Sequence, residues 1–154
     1  MKLVVQRVKS ALVRSLVTDK VVGRIDKGLF VLLGVKKGDT QKEVDILVEK
    51  LFKLRIMSDK RGKMNLSVAD VEGSFLVVSQ FTLYADTSAG NRPSFINAED
   101  SKKAKKLYDY FVERLKDKTR LSGVRSVKVK TGIFGDYMQI KLQLDGPVTI
   151  ILEE

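Results

Sequence analysis

Ser79, Gln80 and Thr82 come at the end of the apolar run Phe75-Leu76-Val77-Val78. Polar groups at the end of a buried strand are either paired or meet a ligand. Strand alternation predicts Ser79 and Phe81 on one face, Gln80 and Thr82 on the other. A hydroxyl attacks a carbonyl only when a base activates it, and the chain has neither histidine nor cysteine. Ser-His-Asp and Cys-His catalysis are excluded, as are His-ligated zinc and disulfides. Proton transfers would have to come from carboxylates, lysine, water or the substrate. Asp86, Asp136 and Asp145 are candidates for acid–base work. Each also reads as a turn residue, where Asp is favoured for local hydrogen bonding. On the residues alone, Ser79–Thr82 is either a paired strand end or a pocket wall.

Gly146-Pro147 is the second unusual feature. Proline cannot donate to a sheet ladder, so it sits at strand starts, edges or bulges. Generic phosphate and nucleophile motifs are missing. Gly132 to Gly135 is followed by no Gly-Lys-Ser/Thr, and there is no Gly-x-Ser-x-Gly elbow.

The elements that must position these residues are legible from periodicity. Lys2–Val8 and Ala11–Leu16 read as two strands, and Val21–Ile25 as a third after the turn at Asp19-Lys20. Gly28 opens the buried run Leu29–Val35. Thr40 and Glu43 form a capping box. Val44, Leu47, Val48, Leu51 and Leu54 then recur at helical spacing. Asp59–Gly62 is a hairpin tip, and Ser74–Gln80 a central strand. The long segment Tyr84–Asn97 reads as a functional loop. A second helix is predicted from Asp100 to Lys118, with an apolar stripe from Ala104 to Leu115. Its lysines read either as a solvated face or as a surface for phosphates. Val124–Lys130 and Tyr137–Leu144 alternate as strands; Asp145-Gly146-Pro147 breaks the latter and Val148–Leu152 resumes it. The expected fold is α+β: one domain spanning 1–154, with a curved, mostly antiparallel, barrel-like sheet and two long helices on one side.

Length and charge fit that picture. A chain of 154 residues buries about 70% of its unfolded surface and needs no metal or disulfide staple. No apolar run reaches the length of a membrane span, and the apolar stretch after Lys2 is too short for a secretory signal. A cytoplasmic protein is expected. The net charge of +10 favours a polyanionic partner, chiefly nucleic acid.

Taken together, these residues resemble the D-aminoacyl-tRNA deacylases. The family's SQFTL motif stands here as Ser79-Gln80-Phe81-Thr82-Leu83, and its NxGPxT motif as Leu144-Asp145-Gly146-Pro147-Val148-Thr149. The likeness covers the whole chain, including Val4–Val8, Met64–Val68, Arg92-Pro93-Ser94-Phe95 and Thr131–Gly135. It implies a homodimer that hydrolyses the ester joining a D-amino acid, or glycine, to the terminal adenosine of tRNA, with no cofactor. It implies that Ser79, Gln80, Phe81 and Thr82 form the catalytic pocket, Phe81 packing near the terminal adenine. Pro147 would be cis, and the Gly146 and Pro147 carbonyls would enter the other subunit's site. There they would hold the substrate's amino group and leave no room for an L-side chain. Phe134, Met138 and Thr149 complete the implied substrate-binding set, and Arg92 is the candidate tRNA contact. Backbone N–H groups and the tRNA 2′-hydroxyl would replace a side-chain base. Thr82 is either a nucleophile or a positioning group, the latter favoured because no activating base adjoins it. This sequence departs from the family at Leu144, where the motif has asparagine, and at Thr87-Ser88-Ala89, where lysines are common.

Overall fold

A computed structural model describes residues 1–154. Its eight strands and two helices run in the order β1 (Lys2–Ser15), β2 (Val21–Ile25), β3 (Gly28–Gly34), α1 (Gln41–Phe52), β4 (Met57–Ser58), β5 (Met64–Leu66), β6 (Ser74–Ser79), α2 (Ser101–Leu121), β7 (Val129–Thr131) and β8 (Met138–Glu153). A single 3₁₀ turn, Phe81–Tyr84, follows β6. No helix is long and apolar enough to cross a membrane.

The main sheet is ordered β2-β1-β3-β6-β7, with β8 also paired to β1. It is mixed. β1 pairs antiparallel with β2, β3 and β8, whereas β3–β6 and β6–β7 are parallel. Parallel neighbours need long crossovers, and α1 and α2 lie in the two that this sheet requires. The sheet nearly closes on itself between β2 and β7. A Cβ at Gly23 would stand 2.6 Å from the Thr131 carbonyl oxygen, so only glycine lets these strands approach so closely.

The sheet separates two apolar cores. The larger lies under both helices and joins Leu3, Val5, Leu29, Val31, Phe75 and Val77 to Leu47, Leu51, Phe111 and Leu115. The smaller fills the barrel with Val8, Ala11, Val13, Ile25, Phe30, Leu76 and Val78. Adjacent strand residues therefore face different cores, which is why Phe75–Val78 reads as an unbroken apolar run. Full burial of each large side chain contributes about 1.5–3 kcal/mol.

β1 and β8 serve both cores, and a break in their register is what allows it. Arg7 alone stands opposite Asp145–Val148, and Lys9 is an extra residue on β1. Before the break Leu3 and Val5 face the helices; after it Ala11 and Val13 face the barrel. On β8, Met138, Ile140 and Leu142 face the barrel, and Val148, Ile150 and Leu152 the helix side. The expected strands Lys2–Val8 and Ala11–Leu16 are thus one bulged strand, and the Gly-Pro step bends β8 without ending it.

Other boundaries also differ from expectation. Helix α2 starts from the Asp100 cap and runs on to Leu121. Of the alternating stretch Val124–Lys130, only Val129 onward pairs as a strand. The capping box at Thr40 and Glu43 is present in full, with Glu43 accepting from the Thr40 N–H at 2.7 Å. The Met1 ammonium is buried against Asp39 at 2.8 Å, and it also donates to the Glu154 carbonyl, drawing both chain ends to one side.

Three carboxylates act at the helices: Glu43 caps α1, Glu49 links α1 to α2, and Glu99 links the start of α2 to the turn after β3. Hydrogen bonds from Thr40 hold Glu43 at a pKa of about 2, those from Lys118 and Lys53 do the same for Glu49, and those from Lys103, Gly38 and Asp100 for Glu99. Because folding lowers these pKa values, their contribution is complete above the unfolded value of 4.5 and is lost as pH falls toward 2. The urea midpoint is therefore expected to drop as pH falls from 4.5 toward 2. A midpoint unchanged at about pH 3 would contradict the assignment.

Candidate active site

A cavity of about 790 Å³ opens where the C-terminal ends of β3 and β6 meet the start of α2. Its floor is Leu33, Val78 and Ile140. One wall is Ser79, Gln80, Phe81 and Phe95; a second is Ser101, Ala104 and Tyr108 on α2; a third runs from Phe134 to Met138. Twelve of its eighteen lining residues are hydrophobic, so it accepts a largely apolar body and orients it by a few polar atoms.

The polar edge is built by how β6 ends. Leu33 and Ser79 are the last residues of β3 and β6 to pair with each other, and the Gln80 N–H then donates to the Leu33 carbonyl at 2.7 Å. The chain next turns into the 3₁₀ helix, closed by the Leu83 N–H to the Gln80 carbonyl at 3.3 Å. Strand alternation therefore stops at Ser79, and the predicted sharing of a face by Gln80 and Thr82 has a different cause. Their side chains meet through a hydrogen bond from Gln80 Nε2 to Thr82 Oγ1 across the turn. Thr82 is exposed and does not line the cavity wall. No carboxylate or lysine is bonded to its hydroxyl, which has Gln80 as its side-chain partner.

Aromatic side chains frame the mouth. Phe81 and Phe95 meet edge to face with centroids 4.9 Å apart, and both remain substantially exposed. Deeper, Tyr108 tilts against Phe134 at 5.7 Å and donates its hydroxyl to the Val77 carbonyl at 2.9 Å. Burial raises the pKa of the Tyr108 hydroxyl, which keeps it neutral and a donor. Met138 is fixed by the Ile133 N–H, 3.4 Å from its sulfur. Tyr137, on the opposite rim, is 77% exposed.

The cavity thus brings together Ser79, Gln80, Phe81, Phe134 and Met138. Gly146, Pro147, Thr149 and Arg92 lie outside it. Arg92 sits in the loop that the Asp86–Ser94 bridge closes, with the Asp86 N–H 2.7 Å from the Ser94 carbonyl. Asp86 accepts from the Ser88 N–H at 2.9 Å, the bond that lowers its pKa, so it is a turn residue. Asp136 lines the cavity and accepts from the Tyr137 N–H at 2.8 Å.

The Gly146–Pro147 peptide is cis, and Gly146 has φ +153°. Any Cβ there would meet the Val148 nitrogen at 2.3 Å. Thr149 Oγ1 accepts from Gln6 Nε2 at 3.4 Å, beside the bulge. Leu144 does not continue the half-buried stripe of β8, which ends at Leu142; Leu144 is 45% exposed at the edge of the bulge.

What clamps this turn is Arg7, a residue that strand periodicity marks only as one more position in β1. Its guanidinium is nearly buried. Nε donates to the Asp145 carbonyl at 2.9 Å and lies 3.2 Å from the Asp145 carboxylate. The terminal nitrogen donates to the Ile56 carbonyl at 2.8 Å and to Ser58 Oγ at 3.1 Å. The one sequence signal is a charged side chain at an inward position of an apolar strand.

A deep apolar cavity with a polar lip and no histidine defines a site that orients a small organic group. Similarity to known proteins identifies the family. A family model described as D-Tyr-tRNA(Tyr) deacylase matches residues 4–153. The D-aminoacyl-tRNA deacylase of Thermosipho melanesiensis is 50% identical over 153 residues, covering 99% of this chain and 97% of that protein. That of Aquifex aeolicus is 51% identical over the same shares. Among solved structures, a c-Myc DNA unwinding element binding protein superposes with a TM-score of 0.89 at 41% identity, covering 100% of this chain and 99% of that one. A "probable eukaryotic D-amino acid tRNA deacylase" shares the fold, with a TM-score of 0.81 at 17% identity, over 98% of this chain and 97% of that one. The chain belongs to the D-Tyr-tRNA(Tyr) deacylase family.

Replacing Arg7 by methionine keeps the apolar stem but removes charged hydrogen bonds worth about 1.5–3 kcal/mol. We expect that loss of stability together with faster hydrogen exchange at the Gly146 and Val148 amides. Unchanged exchange there would mean that strand pairing alone holds the turn.

Proposed function

We propose that this protein hydrolyses the ester bond of D-aminoacyl-tRNA, releasing the D-amino acid and free tRNA, and that it also clears glycyl-tRNA formed on tRNA-Ala. The observation that carries this reading is the cavity itself: apolar walls, a polar lip at Ser79 and Gln80, and paired aromatic rings at the mouth. An adenine stacks on an exposed aromatic pair such as Phe81 and Phe95, and its ester then falls at the lip. The first N–H groups of a helical turn have no acceptor within it. In this reading those of Phe81 and Thr82 stabilise the developing oxyanion. An aminoacyl ester is already labile, so orientation and charge stabilisation suffice without a side-chain base.

Selection by handedness requires a second copy. Gly146 and Pro147 are not part of their own subunit's cavity. β8 is paired on one side only, to β1. In a homodimer the turn of one subunit reaches the other's cavity, where its carbonyls hold the substrate amino group and exclude an L-side chain. The family relationship supports this arrangement, and so does the Arg7 clamp, which holds the turn in one shape. The protein works where charged tRNA is made, in the cytoplasm, and the +10 charge suits that substrate.

A second reading is a nucleic-acid-binding protein without hydrolytic activity, favoured by the relative at 41% identity described as binding a DNA unwinding element. Release of tyrosine from D-tyrosyl-tRNA but not from L-tyrosyl-tRNA decides for the deacylase; absence of D-selective release sinks it. Thr82→Ala is expected to lower kcat by less than about tenfold if the hydroxyl only positions, against about a millionfold for removal of a true nucleophile. Sedimentation is expected to give a dimer, and a strict monomer would contradict the selection model.

A further inference from the structure

The cavity carries no cation, although the chain is rich in them. The sequence holds 29 lysines and arginines, yet none is among the eighteen residues that line the cavity. Its only charged side chains are two carboxylates, Glu99 and Asp136. The inner surface therefore has the opposite sign to the protein as a whole, whose net charge is +10.

The two carboxylates are not equivalent. Glu99 is compensated: Lys103 Nζ lies 2.6 Å from Oε2, which also accepts from the Gly38 N–H at 3.1 Å, and Oε1 accepts from the Asp100 N–H at 3.0 Å. Asp136 belongs to none of the chain's ion pairs. Its Oδ1 accepts from the N–H of the next residue, Tyr137, at 2.8 Å, and Oδ2 has no partner in the chain. Backbone bonds fix this half-buried residue in place. The Asp136 N–H donates to the Ile133 carbonyl at 3.3 Å, and the Leu16 N–H donates to the Tyr137 carbonyl at 2.8 Å. One uncompensated negative charge is thereby held on the wall that runs from Phe134 to Met138.

An anionic group entering such a cavity is disfavoured three times over. It gives up hydration to largely apolar walls. It finds no lysine or arginine there to pair with. It also faces the Asp136 charge, and two like charges 4 Å apart in full solvent already shift an equilibrium by about fivefold. A neutral group escapes the last two effects, and a cation turns the third into attraction.

We infer that the cavity selects among D-amino-acid esters by side-chain charge, with Asp136 as the determinant: uncharged and cationic side chains are accepted, and those of aspartate and glutamate are disfavoured. This rests on the deacylase reading, which puts the adenine against Phe81 and Phe95 and the ester at the lip, so that the rest of the aminoacyl group faces the remaining walls. The substrate's α-ammonium is common to all these esters, so its attraction to Asp136 does not change their ranking. Handedness and side-chain charge are then read by different groups.

The test uses the adenosine esters of D-glutamine and D-glutamate, which are nearly the same size and differ in charge. The ratio of their kcat/KM values is taken within each protein, with spontaneous hydrolysis subtracted, so that a general loss of activity cancels. The unmodified protein is expected to favour the glutamine ester. Asp136→Asn is expected to lower the ratio by at least about threefold, and Asp136→Lys to lower it further. A ratio unchanged in Asp136→Asn, or lower there than in Asp136→Lys, overturns the proposal. Lys103→Met gives a second measurement that leaves Asp136 in place. It uncovers the Glu99 carboxylate and is expected to raise the ratio; an unchanged or lowered ratio counts against charge selection. Binding of the 3′-amide analogues, which cannot be hydrolysed as esters, separates the two readings. Preference for the glutamine analogue with no cleavage of either ester keeps the charge selection and rejects the deacylase. Cleavage of both esters with equal preference keeps the deacylase and rejects the charge selection.

Discussion

Everything in this fold depends on two long strands changing sides together. β1 and β8 are hydrogen-bonded along nearly their whole length, and each packs into the helix-side core at one end and into the barrel at the other. A regular strand cannot do this, because alternation would keep one set of residues on one face. The extra residue Lys9 and the four-residue step Asp145–Val148 supply the phase change. Arg7 makes that irregular step a fixed structure by filling it with a nearly buried guanidinium and satisfying carbonyls on two sides. A buried cation with several acceptors is costly to disturb, so the turn has one geometry rather than many.

The cavity has a different origin. It forms where the parallel strands β3 and β6 end side by side and α2, the helix of the next crossover, begins, the place where α/β sheets commonly bind ligands. Gln80 marks the transition: its N–H still continues the pairing with β3, while its carbonyl already closes the 3₁₀ turn. Backbone groups and side chains thereby change direction within one residue, and the polar lip results. The tilted Tyr108–Phe134 pair and the tethered Met138 then hold the far walls.

Much of this is legible in the residues, but unevenly. The helices announce themselves through the Thr40–Glu43 capping box and apolar positions three and four apart, because helix signals are local. The β8 alternation is equally plain. Partners are not, since period 2 says that a segment is a strand but not what it pairs with. The parallel β3–β6 pairing and the continuity of β1 through Lys9 therefore emerge only from the structure. Val124–Lys128 alternates yet forms no strand, because only Val129–Thr131 lies alongside β6. Of the site, the motif residues Ser79 to Phe81, with Phe134 and Met138, do line one cavity. Strand alternation misplaces Thr82, because a turn stands where it assumes a strand. Arg7 stays hidden in the sequence because its role depends on Asp145, 138 positions away.

The bend in β8 also governs what the open edge of the sheet can do. A sixteen-residue strand paired on one side is a long template for uncontrolled strand addition. The bulge divides that edge into two shorter runs, Met138–Leu144 and Val148–Glu153, whose carbonyls and N–H groups are out of phase with each other. An approaching flat strand can match one run or the other but not both. The kink that lets one strand serve two cores thus also keeps the exposed ladder from growing into a fibre.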